Sequence, residues 1–319
     1  MRLGLLSTAR INEKLAAGAQ LVDEVELSAI ASRDLARAQA QAAELGIERA
    51  HGSYEDLLVD PEVDAVYISL PNSLHVEWSI RALEAGKHVL CEKPMARSVE
   101  QVERAFDAAE SAGRVLAEAF MWRHHPQARS LAELVPRVGE LRLVRAAFSF
   151  PLADEGDVRL SASLEGGALM DVGCYCVSGL RLIAGEPVQV SGEQVTGGDG
   201  VDVRFAATLR FAGDLIGHFD CGIDMTDRAE LEVVGSDGSL VLGDPWHSRE
   251  PVIEVRAADG SVKEVRAESD NPYACELRDL AAAVSGEREP LLGRADAVGQ
   301  ARTIEALYES ASRGRSVRL

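Results

Sequence analysis

Apolar runs of strand length alternate with amphipathic stretches along the first 120 residues. Such runs are typical of buried parallel strands, and apolar positions at helical spacing are typical of helices that pack on a sheet. Their regular alternation predicts an α/β fold with a doubly wound parallel sheet. The predicted strands are Leu3–Leu6, Val25–Ala31, Asp64–Leu70, Val89–Cys91 and Val115–Phe120. The predicted helices are Ile11–Ala19, Leu35–Leu45, Tyr54–Leu58, His75–Ala85 and Val99–Ala112.

From Val144 onward the pattern changes to alternating strands joined by turns that contain glycine and aspartate. This pattern predicts a mostly antiparallel sheet, which we interpret as a meander. Two closing helices, Tyr273–Val284 and Ala295–Ser312, are predicted to cover it. The change of pattern predicts two domains, 1–120 and 121–319. The predicted strands are Val144–Phe150, Arg204–Phe211, Leu215–Cys221, Ala229–Val234, Leu240–Leu242 and Val252–Arg256.

The charge and the second sheet limit the partners of this chain. Its 319 residues carry a net charge of −19, which repels nucleic acid and anionic membrane surfaces. The amino terminus does not resemble a signal peptide, and no stretch is expected to reach membrane-spanning length. A sheet with helices on one face leaves the other face to bury. We therefore expect a homodimer or homotetramer that assembles through the C-terminal sheet.

The cysteines and histidines predict no metal site. Five scattered cysteines favour a reducing cytoplasm over a disulfide framework. The Cys174 and Cys176 pair lacks the second pair that a zinc site needs. The adjacent His124 and His125 would point to different sides of a helix, so joint metal binding is not expected.

The segment Glu92-Lys93-Pro94 follows a predicted strand directly. In open α/β sheets, ligands bind at the carboxyl ends of the strands, so ionisable groups there are site candidates. Lys93 is one of only four lysines among 33 basic residues, which indicates that a compact ammonium is required at this position. The alternative is a solvated loop charge.

The turn after the first strand is a candidate for cofactor binding. A dinucleotide-binding turn usually contains glycines, but here Ser7 and Ala9 stand at the second and third glycine positions. Small residues and hydroxyls at a helix amino terminus can still bind a phosphate. The predicted contacts of the pyrophosphate are Ser7, Thr8, Ala9, Arg10 and Ile11.

The end of the second predicted strand is where such folds bind the adenosine ribose. An acidic residue alone would favour a free 2′-hydroxyl, whereas Ser32 with Arg33 favours a 2′-phosphate. Asp34 is expected to cap the following helix instead. The predicted cofactor is therefore NADP, with NAD as the alternative, and Arg37 is included among its contacts.

Two further strand ends carry candidate residues. Neighbours of the cofactor ribose or nicotinamide are predicted at Leu70, Pro71, Asn72 and His75. One wall of the substrate site is predicted at Met121, Trp122, Arg123 and His124. The alternative for the histidines is a capping or packing role.

A glycine-rich segment in the second half adds two polar candidates. If the chain is helical from Gly167, Asp171 and Tyr175 lie four positions apart and share one face. Taken alone, such a pair is more often a buried hydrogen-bonded pair than a catalytic one.

Three segments, Ile68–His75, Gly86–Ala96 and Glu118–Pro126, resemble the glucose-fructose oxidoreductase and inositol dehydrogenase (Gfo/Idh/MocA) family. The resemblance implies an N-terminal Rossmann domain, a C-terminal α+β domain with an open-faced sheet, and a nicotinamide cofactor. It also implies that Lys93 lies in the active site and that the Lys93–Pro94 peptide bond is cis. The segment from Gly166 to Tyr175 resembles the family's catalytic helix, in the branch with tyrosine where many members have histidine.

The resemblance predicts an NADP-dependent oxidoreductase that acts on a small sugar or polyol, such as xylose or glucose. A lysine ammonium about 4 Å from a phenol contributes about 4 kcal/mol at an effective dielectric constant of about 20, which favours the phenolate. Tyr175 would then transfer the proton, Lys93 would stabilise the phenolate, and Asp171 would hydrogen-bond the substrate. A trans-dihydrodiol dehydrogenase and a sugar-nucleotide ketoreductase remain alternatives. A non-redox cofactor-binding regulator and an NAD-dependent glycosidase are alternatives from other classes.

Overall fold

The computed structural model describes residues 1–154 and 156–319, which form two compact units. The first unit comprises Met1–His124 and Asn271–Val298, and the second comprises His125–Asp270 and Gly299–Leu319. The first closing helix therefore groups with the N-terminal unit. The division into two domains at 1–120 and 121–319 stays a prediction.

The first unit contains a six-stranded sheet in which all pairs are parallel. Its spatial order is 3-2-1-4-5-6, as a doubly wound fold requires, so the predicted α/β class is confirmed. The order reverses between the first and fourth strands, and open α/β sheets bind ligands at such a point. The strands are β1 (Arg2–Leu6), β2 (Glu26–Ala31), β3 (Arg49–His51), β4 (Ala65–Ile68), β5 (His88–Glu92) and β6 (Leu116–Ala119).

The helices begin and end close to the residues that the sequence predicts. Asp34 accepts hydrogen bonds from the N–H groups of Ala36 and Arg37, which confirms it as a helix cap. The same helix ends at Gly46, where φ is 71°. The helices are α1 (Ile11–Ala19), α2 (Leu35–Leu45), α3 (Tyr54–Leu58), α4 (His75–Glu84), α5 (Val99–Ala112), α6 (Met121–His124), α7 (Pro126–Leu134), α8 (Cys174–Ala184), α9 (Pro272–Val284) and α10 (Arg294–Arg313).

The second unit contains a nine-stranded sheet, mostly antiparallel as predicted. Its spatial order is 14-13-12-11-7-10-9-8-15. The strands are β7 (Leu141–Pro151), β8 (Gln189–Thr196), β9 (Asp202–Arg210), β10 (Ile216–Gly222), β11 (Asp224–Gly235), β12 (Gly238–Leu242), β13 (Val252–Ala257), β14 (Val262–Arg266) and β15 (Val317–Arg318).

The meander interpretation is wrong in one respect. β7 lies in the middle of the sheet, between β11 and β10, and pairs in parallel with β10. The helical segment that follows β7 carries the chain across the sheet, so that β8 and β9 continue on the far side of β10. Sequence alternation alone does not reveal such a crossover, because it reports which face of a strand is buried and not which strand is its neighbour.

The expectation that no stretch reaches membrane-spanning length is also wrong. Residues Ala162–Ala184 form a stretch of 23 residues, interrupted by the turn at 165–167, that is long and apolar enough to cross a membrane by length and composition, with a mean hydropathy of 1.3 over its apolar window. However, 78% of its apolar window is buried inside the structure, where Val177 and Leu180 are fully buried. The stretch is apolar because it forms the core beneath the second sheet.

The outward face of the second sheet is polar. Along β9, the buried residues Phe205, Ala207 and Leu209 alternate with exposed ones. Arg204 on the exposed face pairs with Asp224 at 2.9 Å. The face left open by the helices therefore carries charged side chains, rather than a broad apolar surface.

Candidate active site

Ser7, at the carboxyl end of β1, adopts a backbone conformation that usually requires glycine. Its φ is 150°, and the residue is buried. The Ser7 hydroxyl hydrogen-bonds the Ser69 carbonyl oxygen at 3.0 Å and accepts from the Ala9 N–H at 3.1 Å. The Asn12 side chain donates to the Ser7 carbonyl oxygen at 2.8 Å and accepts from the Ser69 hydroxyl at 2.9 Å. This buried network holds a glycine-like turn without a glycine.

The turn leads directly into α1, where phosphate binding is expected. Arg10 is the N-cap residue of α1 and makes no capping hydrogen bond through its side chain. Thr8, Ala9 and Ile11 are partly exposed beside it. The helix amino terminus, with Thr8 and Ile11 partly exposed beside it, suits a pyrophosphate. The Ser7 hydroxyl and the Ala9 N–H are already used within the protein, in the hydrogen bond that joins them.

Two arginines follow β2. Arg33 and Arg37 are exposed, and neither forms an ion pair among residues 1–154 and 156–319. The Oδ1 atom of Asp34 is used to cap α2, and the buried Ser32 hydroxyl accepts from the Asp34 N–H at 3.3 Å. The end of β2 therefore offers two guanidinium groups to a ligand, which suits a phosphate better than a free ribose hydroxyl.

Lys93 lies at the carboxyl end of β5, and the Lys93–Pro94 peptide bond is cis, as expected. The backbone around it is held by two glutamates. Glu92 accepts from the Lys93 N–H at 3.3 Å and also hydrogen-bonds the Tyr67 hydroxyl. Glu118 accepts from the Met95 N–H at 2.7 Å. The half-buried Lys93 is thus presented by a segment whose two ends are fixed to the sheet.

His75 is fully buried between two loops. Its Nδ1 atom lies 3.0 Å from the Pro94 carbonyl oxygen, and its Nε2 atom lies 2.8 Å from the Leu70 carbonyl oxygen. Burial lowers the pKa of His75, so the neutral ring donates to only one of these oxygens at a time. The ring connects the loop after β4 to the loop after β5. Pro71 and Asn72, which were predicted beside it, are partly exposed on the loop after β4.

The four residues of α6 are predicted substrate contacts and lie within the first unit. Met121 and Trp122 are buried. Arg123 lies 3.4 Å from Asp296, and His124 Nδ1 lies 3.7 Å from an oxygen of Asp279. Burial lowers the pKa of His124 to about 4, against the opposing effect of Asp279, so the imidazole is neutral at neutral pH.

Asp171 and Tyr175 lie together in the second unit, at the start of the buried helix. A π-helical turn over Leu169–Gly173 carries Asp171, and α8 follows with Tyr175 in its first turn. π-turns interrupt regular helices frequently at functional sites. Tyr175 is 8% exposed and packs edge-on against Phe148, with ring centroids 5.3 Å apart. The centroid of the Trp246 ring lies 6.0 Å from that of Tyr175, so the phenol ring is held by aromatic packing.

Two residues near this helix were missed in the sequence. Arg159 donates from Nε to Asp171 at 2.7 Å. Asp202 accepts from the Leu169 N–H at 2.6 Å and from the Tyr308 hydroxyl at 2.8 Å. Neither belongs to a recognisable motif, and Asp202 is 33 and 106 residues away from its two partners. The glycine pair Gly166–Gly167 was the only local signal that the chain folds tightly here.

The first unit therefore fits a nicotinamide dinucleotide. It brings together the β1 turn, the two arginines after β2, the loop after β4 and the Lys93 segment, all at the carboxyl ends of one parallel sheet. The second unit brings Asp171 and Tyr175 onto one helical segment. Among residues 1–154 and 156–319, no group of three or more His, Cys, Asp or Glu residues could hold a metal ion.

Comparison with known proteins matches both halves of the chain. Residues 2–120 match the family model described as "Oxidoreductase family, NAD-binding Rossmann fold", and residues 130–241 match "GFO/IDH/MocA C-terminal domain". A D-xylose 1-dehydrogenase (NADP(+)) of Haloferax volcanii is 41% identical over 100% of both chains.

Two solved structures have the same fold. The 3-ketoreductase KijD10 of Actinomadura kijaniata, in complex with NADP and TDP-benzene, is 31% identical, with a TM-score of 0.92 over 97% of each chain. The aldose-aldose oxidoreductase of Caulobacter crescentus, complexed with glycerol, is 27% identical, with a TM-score of 0.92 over 100% of this chain and 99% of that one.

Proposed function

Because this chain belongs to the Gfo/Idh/MocA family of oxidoreductases, we propose that it is an NADP-dependent dehydrogenase of a small aldose. The observation that carries the proposal is the 41% identity, over the full length of both chains, to an NADP-dependent D-xylose 1-dehydrogenase. The aldose-aldose oxidoreductase with a TM-score of 0.92 supports the same substrate class.

NADP is proposed over NAD because of the residues after β2. Arg33 immediately precedes the N-cap residue of α2, and Arg37 lies in the first turn of that helix. Both are exposed, and a 2′-phosphate would give both guanidinium groups a charged partner. Asp34, which would otherwise be the candidate acceptor for a ribose hydroxyl, uses Oδ1 within α2.

Tyr175 is proposed to take the proton from the substrate hydroxyl during oxidation. A bound nicotinamide ring supplies the hydride acceptor. Lys93 is proposed to act on the same substrate oxygen and to stabilise the phenolate, since a phenol with a pKa of about 10 is a weak base at neutral pH. Asp171 is proposed to hydrogen-bond the substrate and hold it in register with Tyr175.

The substrate class is tested by following NADPH formation with D-xylose, D-glucose, an inositol, a trans-diol and a dTDP-linked sugar. The proposal predicts the highest kcat/KM with an aldose, and a higher value with NADP than with NAD. A preference for the diol or the nucleotide sugar would favour the corresponding reductase. A cofactor that co-purifies and yields no net NADPH would favour the glycosidase or regulatory members of the family.

The proposed proton transfer is tested with Tyr175→Phe and Lys93→Ala. Each is expected to lower kcat by roughly 10²- to 10⁴-fold, because positioned acid–base groups contribute about that much. NADP affinity should change little in Tyr175→Phe. Near-normal turnover in both variants would remove this mechanism.

A homodimer or homotetramer through the second sheet is also proposed. Light scattering after size exclusion would measure the subunit number. Because the outward face carries ion pairs such as Arg204–Asp224, an interface there would be polar, and its stability should depend on salt. A cytoplasmic location is proposed as well; all five cysteines are free thiols in the structure.

A further inference from the structure

Arg159 is attached to the same carboxylate that the proposed mechanism assigns to substrate binding. Its Nε atom donates to Asp171 Oδ2 at 2.7 Å, and its Nη1 atom lies 3.1 Å and 3.2 Å from the two oxygens of Asp157. The Asp157 side chain also accepts from the Arg159 N–H at 2.9 Å. The guanidinium is therefore fixed on two sides by carboxylates.

The double glycine before Asp171 shapes the loop that presents Arg159. A Cβ atom on Gly166 would lie 2.3 Å from the Arg159 carbonyl oxygen, so only glycine fits at that position. Gly167 donates from its N–H to the same oxygen at 2.9 Å, and its φ is +121°. The loop therefore folds back on Arg159 because residues 166 and 167 lack side chains. The glycine pair found in the sequence thus positions an arginine.

One edge of the guanidinium remains available. The Nη2 atom of Arg159 makes no hydrogen bond or ion pair with any residue in the ranges 1–154 and 156–319. The side chain is 39% exposed, compared with 15% for Asp171 and 6% for Asp157. A rigidly held N–H donor beside a partly exposed carboxylate forms a donor–acceptor pair.

We propose that Arg159 is a specificity-determining residue that binds, together with Asp171, the hydroxyl groups of a neutral sugar next to its reacting carbon. A sugar hydroxyl both donates and accepts, so one hydroxyl accepts from Arg159 Nη2 while a neighbour donates to Asp171. This inference rests on the proposed function, because Tyr175 on the adjoining helical turn marks the reacting end of the substrate.

The net charge of Arg159 and its two carboxylate partners favours a neutral sugar over an anionic one. The Arg159 guanidinium is flanked by the carboxylates of Asp157 and Asp171, so the three side chains together carry a net charge of −1. A phosphate or carboxylate would be repelled by two acids and attracted by one base that is already paired. Neutral hydroxyl groups are not repelled by the two carboxylates. The charge therefore favours a free aldose over a phosphorylated or acidic sugar.

The inference is tested by comparing an aldose with its deoxy analogues in the wild type and in Arg159→Met. The substrates are D-xylose, D-glucose, 2-deoxy-D-glucose and 3-deoxy-D-glucose, with NADP saturating. The wild type is expected to prefer D-glucose over at least one deoxy analogue by about 10- to 100-fold in kcat/KM, since a lost hydrogen bond to a charged group costs that much. In Arg159→Met this preference should fall to about twofold or less.

A purely structural role would give a different result. If Arg159→Met lowers kcat/KM for D-glucose and both deoxy analogues by the same factor, the residue supports the fold only and the inference is wrong. Arg142→Met is the matched control, because Arg142 lies in the same unit, is exposed, and pairs only with Glu140 among the described residues. It should leave every ratio unchanged.

Asp157→Asn provides the second arm. Removing one flanking carboxylate should bring the charge of the three side chains to zero and strengthen the inhibition of D-xylose oxidation by inorganic phosphate, relative to inhibition by the neutral 2-deoxy-D-glucose. Unchanged relative inhibition would overturn the charge argument. If the wild type oxidises no aldose at all, the proposed function fails and the inference falls with it, which is distinct from an active wild type whose ratios do not respond to Arg159→Met.

Discussion

The Oδ2 oxygen of Asp202 accepts a 2.6 Å hydrogen bond from the N–H of Leu169, the first residue of the π-turn that carries Asp171. Its other oxygen accepts a 2.8 Å hydrogen bond from the Tyr308 hydroxyl on α10. Asp202 is only 3% exposed. One buried carboxylate therefore satisfies a donor at the start of the helical segment that positions Tyr175.

We expect Asp202→Ala to lower the free energy of unfolding by about 3 kcal/mol, because a buried N–H and a buried hydroxyl lose their acceptor. Asp202→Asn should cost less, since its amide oxygen can still accept from Leu169. Urea unfolding followed by circular dichroism would measure both. Tyr308→Phe removes one of the two hydrogen bonds and should cost about 1 kcal/mol. An alanine variant no less stable than Tyr308→Phe would contradict this view of Asp202.

The backbone of Ser7 predicts an unusual order of stability. Ser7→Ala loses the hydroxyl contacts and keeps the φ of 150°, whereas Ser7→Gly loses the same contacts but relieves the backbone strain. We therefore expect Ser7→Gly to be about 1 kcal/mol more stable than Ser7→Ala, although glycine usually destabilises. Urea unfolding of the two variants provides the comparison. Equal stability would mean that the turn carries no strain.

Arg33 and Arg37 are expected to select the phosphorylated cofactor. Replacing both by alanine should weaken NADPH binding by about 100-fold, because two charge-assisted contacts are lost. NADH binding should change by less than about threefold, since it lacks the 2′-phosphate. Fluorescence titration of each reduced cofactor measures both constants. Arg142→Ala, an exposed arginine in the other unit, is the control. If NADH binding weakens by the same factor as NADPH binding, these arginines contribute to the binding of both cofactors and do not select the 2′-phosphate.

Asp60 is expected to make stability fall in acid. Burial opposes its ionisation, but hydrogen bonds from Arg49, the Glu62 N–H and His51 lower its pKa to about 2. Because the folded pKa is below the unfolded one, the stabilisation is present above pH 4 and is lost as the pH falls towards 2. It amounts to about 2 kcal/mol. Thermal unfolding of Asp60→Asn between pH 2 and pH 6 should show a flatter profile than the wild type.

Glu276 on α9 is expected to have the opposite effect. It is 1% exposed, and its Oε1 atom has no hydrogen-bond partner among residues 1–154 and 156–319. Burial, with the nearby charges of Glu92 and Asp279, raises its pKa well above the ordinary value. Its stabilising contribution is therefore present below the unfolded pKa and is lost as the pH rises.

Glu276→Gln should consequently gain stability relative to the wild type as the pH rises from 4 to 8. Denaturant unfolding at several pH values would measure the difference. Glu264→Gln, at an exposed position of β14, should show no such trend. A difference independent of pH would mean that Glu276 is ionised in the folded state.

The first sheet could be predicted closely because local signals mark most of its elements. The cap at Asp34, which was identified from the sequence, and the left-handed Gly46 delimit α2. β3 was missed, since Arg49–His51 is only three residues long. In the second unit, β8 and β14 were missed because they bury few apolar side chains. The parallel pairing of β7 with β10 depends on a crossover, which no local pattern encodes.

The candidate site was also only partly predictable from the sequence. Lys93, Asp171 and Tyr175 stand in segments that resemble a family, so they could be named from the sequence. The groups that hold these segments could not, because their partners are distant along the chain. Ser7 and Ser69 are 62 residues apart, and Asp202 and Tyr308 are 106 apart. His75 was predicted beside the cofactor, yet both of its ring nitrogens face backbone carbonyls.

The Ser7–Ser69 contact joins β1 to β4 at the place where the strand order of the first sheet turns around. Because Ser7 lies in the turn before α1 and Ser69 directly follows β4, this hydrogen bond links the end of β4 to the start of α1. With this hydrogen bond, the chain forms the turn without the glycine-rich motif by which such turns are usually recognised. A motif search that requires those glycines would therefore miss proteins in which serine takes this position.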